Sequence, residues 1–163
     1  MMSALLYGLV IKPISLLPYR VLYLFSDFFY IVLYRIVGYR KKVVRDNLRS
    51  VFHEKSAHEL GSIERAFYRH FCDLVLERLK NFSATEKQLA ERFEHRNTEV
   101  LDRLYASGKS AFLAGGHYAY WEMWALSAPP HFQHRLMAIY KRLSDPYFDK
   151  KMRSTRGKFG LEL

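Results

Sequence analysis

The run Gly115-Gly116-His117-Tyr118-Ala119-Tyr120-Trp121-Glu122 sets a histidine and a glutamate with four residues between them, directly after paired glycines. An imidazole acts as a base through one nitrogen when a carboxylate holds the other. On one continuous α-helix this spacing would leave the two side chains roughly 140° apart. It therefore predicts His117 in the turn before a helix and Glu122 in that helix's first turns. Residues 110–114, Ser-Ala-Phe-Leu-Ala, read as a short buried strand, and Gly115-Gly116 as its tight exit. Trp121, Trp124, Ala125 and Ala128 then recur at helical spacing. A core histidine beside a surface glutamate fits the same residues equally well.

Composition narrows what such a site could serve. Half of the 163 residues are hydrophobic and 16 % aromatic, ample for a core. Lys plus Arg number 26 against 16 Asp plus Glu, a net charge of +10 that calls for an anionic partner, nucleic acid or a phosphate-bearing membrane. The single Cys72 excludes an intramolecular disulfide and a multi-cysteine zinc site, and its place in a helical pattern marks it as a buried structural thiol. The histidines show no metal-ligand spacing with acids outside the His117 motif, so no metal site is expected; His131 and His134 flank a proline-rich turn as surface residues.

The N-terminus separates the two anionic partners. From Leu5 to Val37 the chain is apolar and aromatic, and Pro18 suits the first turn of a helix over about 19–37. Roughly 18 residues make a helix about 27 Å long, just short of the hydrocarbon thickness. Asp27 at its middle is costly for a lone span. An anchor that dips into or lies along the membrane is therefore expected, with a full span as the alternative. A signal peptide fits less well: the apolar stretch is too long and no small-residue cleavage site comes after it. Instead the chain continues with Arg35, Arg40, Lys41, Lys42, Arg45 and Arg49 against Asp46 alone. Cations beside an apolar anchor mark the cytoplasmic side and attract anionic headgroups, and Arg40, Lys41, Lys42 and Arg45 form the expected membrane-surface cluster. No nucleic-acid motif appears, and nucleic acid is excluded as a partner.

Helical periodicity continues over about 40–52 and 57–81, the latter carrying Leu60, Ile63, Phe67, Phe71, Leu74, Val75 and Leu79 as its apolar stripe. Phe67, Tyr68 and Phe71 read as core. Short helices are expected over 85–93, with Thr85 to Gln88 as a capping signal, and over 97–106, ended by Gly108. After the motif helix stops at Pro129-Pro130 come a strand at 135–140, a helix at 146–158 and a third strand beginning at 161–163. The expected fold is α/β: N-terminal anchoring and amphipathic helices, then the start of a helix-flanked sheet. Its expected divisions are an anchor at 1–38, a helical region at 39–96 and a catalytic region at 97–163. Two strands and a stub do not cover a sheet, so the chain reads as the N-terminal portion of a longer protein, the alternative being a sheet completed by another polypeptide.

Gly116 to Glu122 resembles the His-X4-Asp/Glu signature of the lysophospholipid acyltransferase superfamily and, more narrowly, of the bacterial lipid A biosynthesis (lauroyl/myristoyl) acyltransferases. Residues 39–48, Tyr-Arg-Lys-Lys-Val-Val-Arg-Asp-Asn-Leu, are similar to the family's R-x-x-V-x-x-N-L segment. Residues 67–74 resemble the helix before its catalytic core, and Tyr140-Lys141-Arg142-Leu143 with 153–160 resembles its second block, where Arg156-Gly157 matches the substrate-serving pair.

The resemblance implies transfer of a fatty acyl chain from a thioester of acyl carrier protein or coenzyme A to a hydroxyl of a lipid A precursor, at the cytoplasmic side of the inner membrane. His117 would be the general base and Glu122 would fix its tautomer. Arg156 and Gly157 would hold a substrate phosphate or the oxyanion, a task open also to backbone N–H groups near Gly115-Gly116. The substrate hydroxyl is the nucleophile, so neither a covalent protein intermediate nor a cofactor beyond the acyl thioester is implied. A lysophospholipid or amino-acid lipid acceptor, or an inactive membrane-binding fragment, are the alternatives. A serine hydrolase is disfavoured because Gly-X-Ser-X-Gly is absent.

Overall fold

A computed structural model describes residues 2–163. Among them the architecture is all-helical, which corrects the α/β expectation: no sheet forms. Residues 110–114 form neither strand nor helix, with Phe112 fully solvent-exposed. An apolar run becomes a buried strand only against neighbouring strands and a covering layer, and isolated pairing is marginal in water. The expected strands at 135–140 and 161–163 do meet, but only as one parallel bridge between Met137 and Glu162. Two bonds close it: the Ala138 N–H donates to the Glu162 carbonyl (2.9 Å) and the Glu162 N–H to the Leu136 carbonyl (3.0 Å).

The chain divides into two compact units, one of residues Leu17–Leu79, the other of Lys80–Leu163 with the segment ending at Leu16. Helix α1, Met2–Leu16, belongs to the second unit; it ends there because Leu17 precedes Pro18, whose ring disfavours helix in the residue before it.

The first unit holds α2 (Tyr19–Val37), α3 (Lys41–Val51) and α4 (Ala57–Lys80). Gly38 ends α2 in the left-handed conformation (φ 65°), where a Cβ would be strained. On α2, Leu22, Ser26, Tyr30 and Tyr34 are buried at four-residue spacing. On α4 the buried row is Glu64, Tyr68, Cys72 and Leu76, shifted from the purely apolar stripe the sequence predicts. The shift has a physical cause. Glu64 is buried because the Arg45 guanidinium of α3 clasps it through two bonds, 2.7 and 3.2 Å. Tyr68 is buried because its hydroxyl donates to the Tyr39 carbonyl while its ring tilts against Tyr34 at 5.0 Å. Tyr30, Tyr34, Tyr68 and Cys72 form this core, with Phe71 packed on it, and Phe67 stays exposed.

In the second unit, α1 precedes α5 (Glu86–Ala90), α6 (Glu99–Ala106), α7 (Trp121–Ser127) and α8 (Pro146–Arg156). The expected capping box is present: Thr85 and Gln88 exchange side-chain-to-backbone bonds of 3.2 and 3.3 Å. Asp145 caps α8 by accepting from the Phe148 N–H (2.9 Å), with Pro146 in the first turn. Ala84, Leu89, Met123 and Leu126 make the core, flanked by Phe93, Tyr120 and Phe159.

No single helix among the described residues is long and apolar enough to cross a membrane. The pair Met2–Leu16 and Tyr19–Val37 passes that test together, by length and composition.

Candidate active site

The motif straddles a change of environment. Tyr118 turns back through its N–H to the Gly116 carbonyl (2.9 Å), and Ala119 takes a positive φ of 47° before α7 begins. His117 sits on this turn, exposed, with its ring edge-on to Trp121 at 5.1 Å. As the sequence predicts, it lies just before a helix and Glu122 in that helix's first turn. Glu122 is buried and accepts from the Arg156 guanidinium at 2.7 Å, with both side chains largely withdrawn from water. No hydrogen bond joins His117 to Glu122 among the described residues.

Arg156, the last residue of α8, is held from three sides. Beyond Glu122, its guanidinium lies over the Trp121 ring (5.6 Å) and the Tyr140 ring (5.1 Å). Such cation–π contacts add about 0.5–2 kcal/mol each according to their desolvation. Tyr140 is itself fixed: its hydroxyl donates to Asp149 at 3.0 Å, and the Leu143 N–H donates to the same oxygen at 2.8 Å. Those bonds, the Leu143 one foremost, hold the Asp149 carboxyl below its ordinary range, while burial raises the Tyr140 phenol. The residues thus form a chain from His117 to Trp121, Arg156 and Glu122, the imidazole one indole away from the guanidinium–carboxylate pair. Gly157 comes directly after Arg156 in a 3-10 turn, and a Cβ there, or at Gly115 or Gly116, meets nothing within 4 Å.

The expected membrane-surface cations lie in the other unit. Arg40 is exposed with a positive φ of 53°. Lys41 lies over the Tyr34 ring at 3.9 Å, Lys42 pairs with Asp46 at 2.9 Å, and Arg45 is committed to Glu64. Arg45, Arg49 and Glu64 also line a cavity of about 300 Å³ with Leu48, Ala57, Leu60 and Gly61.

Sequence reasoning misses two features. Tyr140 stands in a strand-like pattern, where an aromatic reads as core, and nothing local announces a guanidinium above it. His95 and His131 lie tilted against each other at 4.7 Å beside Ser127, whose hydroxyl donates to the Met123 carbonyl (2.8 Å) and meets His95 Nε2 at 2.8 Å. Burial, then His131, lowers the His95 value. Among the described residues no group of three or more His, Cys, Asp or Glu could hold a metal ion.

A family model described as bacterial lipid A biosynthesis acyltransferase matches residues 2–163, essentially the whole chain. The protein belongs to that family of bacterial acyltransferases. No curated protein and no solved structure matches it.

Proposed function

We propose that the protein moves a fatty acyl chain from an acyl thioester, of acyl carrier protein or coenzyme A, to a hydroxyl of a lipid A precursor at the cytoplasmic face of the inner membrane, with His117 as general base. The observation that carries this reading is the linked set His117, Trp121, Arg156 and Glu122 in a member of this acyltransferase family. His117 is open to a substrate, whereas Glu122 is held by Arg156.

An acceptor phosphate competes with Glu122 for the forked Arg156 guanidinium, which suits phosphate and carboxylate alike. Glu122, relieved of that cation, then accepts from one imidazole nitrogen of His117 and fixes the tautomer whose other nitrogen is basic. That nitrogen takes the acceptor's hydroxyl proton as its oxygen attacks the thioester carbonyl. The C–O bond forms, the C–S bond breaks, and the leaving thiolate recovers the proton from the imidazolium. The product ester stays on the lipid.

The test is transfer of labelled acyl groups from acyl carrier protein thioester to a panel of lipid acceptors, with and without a phosphate on the acceptor. His117→Ala and Glu122→Ala should abolish transfer while leaving the protein on membranes; retained transfer by His117→Ala rejects the base assignment. A second reading, a membrane-binding module without catalysis, is favoured by one observation: His117 and Glu122 share no hydrogen bond in this state. The same assay decides it, because a module transfers nothing with any acceptor.

A further inference from the structure

Arg156 is held by groups of two kinds. Glu122 takes one N–H, from Nη2 at 2.7 Å, and no other acceptor among the described residues binds the guanidinium. The rest of the hold is aromatic: the Trp121 ring at 5.6 Å and the Tyr140 ring at 5.1 Å. The two kinds behave differently. A hydrogen bond is directional and is lost when its N–H turns to a new acceptor, whereas a ring attracts the whole cation and consumes no donor. Rings can therefore keep a guanidinium in place while its edge changes partners.

The two rings are not equivalent. Trp121 opens α7 beside the exposed motif turn and already carries the His117 ring edge-on at 5.1 Å. Tyr140 is fastened to the helix that bears Arg156. Asp149 and Arg156 lie seven residues apart, on one face of α8. One Asp149 oxygen accepts from the Tyr140 hydroxyl at 3.0 Å and from the Leu143 N–H at 2.8 Å. A single carboxylate thus folds residues 140–143 back onto α8 and sets the phenol against the guanidinium. A phenol that donates to a carboxylate also gains electron density in its ring, which strengthens its pull on a cation.

We propose that Tyr140, pinned by Asp149, is the positioning residue of the acceptor-phosphate site: it holds the Arg156 guanidinium in place as that group turns from Glu122 to phosphate. The proposal rests on the reading of Arg156 as the phosphate-holding group and adds the part that keeps it from straying.

The test compares binding of an acylated glucosamine phosphate with binding of the same lipid lacking phosphate, both in detergent micelles. Tryptophan emission follows it, because Trp121 adjoins the guanidinium. Tyr140→Leu removes the π face and should weaken binding of the phosphorylated lipid roughly fivefold to tenfold, leaving its twin unchanged. Tyr140→Phe and Asp149→Ala keep a ring but cut its tie, and each should weaken it about twofold. In an Arg156→Gln background, already without phosphate preference, Tyr140→Leu should cost nothing further. In acyl transfer the loss should fall on KM for the phosphorylated acceptor, with kcat little changed. An unchanged melting profile is the criterion of folding, and Tyr140→Met replaces a leucine variant that melts early. Wild-type affinity in Tyr140→Leu, equal losses on both lipids, or a further loss in the Arg156→Gln background would overturn the proposal and leave the Arg156 reading in place. A wild-type protein that binds both lipids alike would remove that reading, and the proposal with it.

Discussion

His117 and Glu122 belong to one short run of sequence, yet their surroundings have little in common. Residues 110–119 are exposed throughout, whereas Glu122, Met123 and Ala125 to Ser127 are buried. The helical half is specified locally: one turn of α7 already brings Met123 and Leu126 onto Leu89 and Ala84. The expected strand of the other half requires partners far away in the chain, because a strand has no hydrogen bonds of its own. A motif that joins the two is rigid at the carboxylate and free at the imidazole.

Substitutions can break or sharpen that contrast. The largest effect expected is His117→Ala, a loss of about 100- to 10,000-fold in acyl transfer with an unaltered melting temperature, since the residue is exposed with its ring edge-on to Trp121. Leu126→Ala does the reverse: it should cost about 2–5 kcal/mol in denaturant unfolding by opening a cavity at a site 2 % exposed. Arg156→Lys keeps the charge but loses the fork, and should reduce transfer to a phosphorylated acceptor by about tenfold or more while sparing an unphosphorylated one. Phe112→Ala should shift stability by less than about 0.5 kcal/mol; a larger loss would mean that 110–114 is packed in solution.

The histidine pair beside α7 adds a pH dependence. The folded His95 value lies below its ordinary 6.5, so the native state favours the neutral ring. Its contribution is full above pH 6.5 and is lost as pH falls from there through the folded value. Thermal melts between pH 8 and pH 5 should show this loss, and His95→Gln should remove that part of the slope; an identical slope would exclude His95 as its source.

The same physics separates the elements legible in the sequence from those that were not. Helices α2, α3 and α4 and the caps at Thr85 and Asp145 depend on neighbours within a few residues, and periodicity and capping chemistry announce them. Glu122 in the first turn of α7 was readable for that reason. The buried row of α4 was not, because Glu64 belongs inside only once Arg45 is opposite it. The pairing of Glu122 with Arg156 was equally hidden, since the two carry separate roles in the motif comparison and meet only through the fold.

Cys72 gives the tyrosine core a built-in clock. Its side chain is fully enclosed, and burial pushes the thiol up to about 11, so an alkylating reagent finds almost no thiolate until the helices part. Mass added at this single cysteine over time, with the protein on vesicles and off them, therefore counts openings of that unit and tells whether lipid slows its breathing.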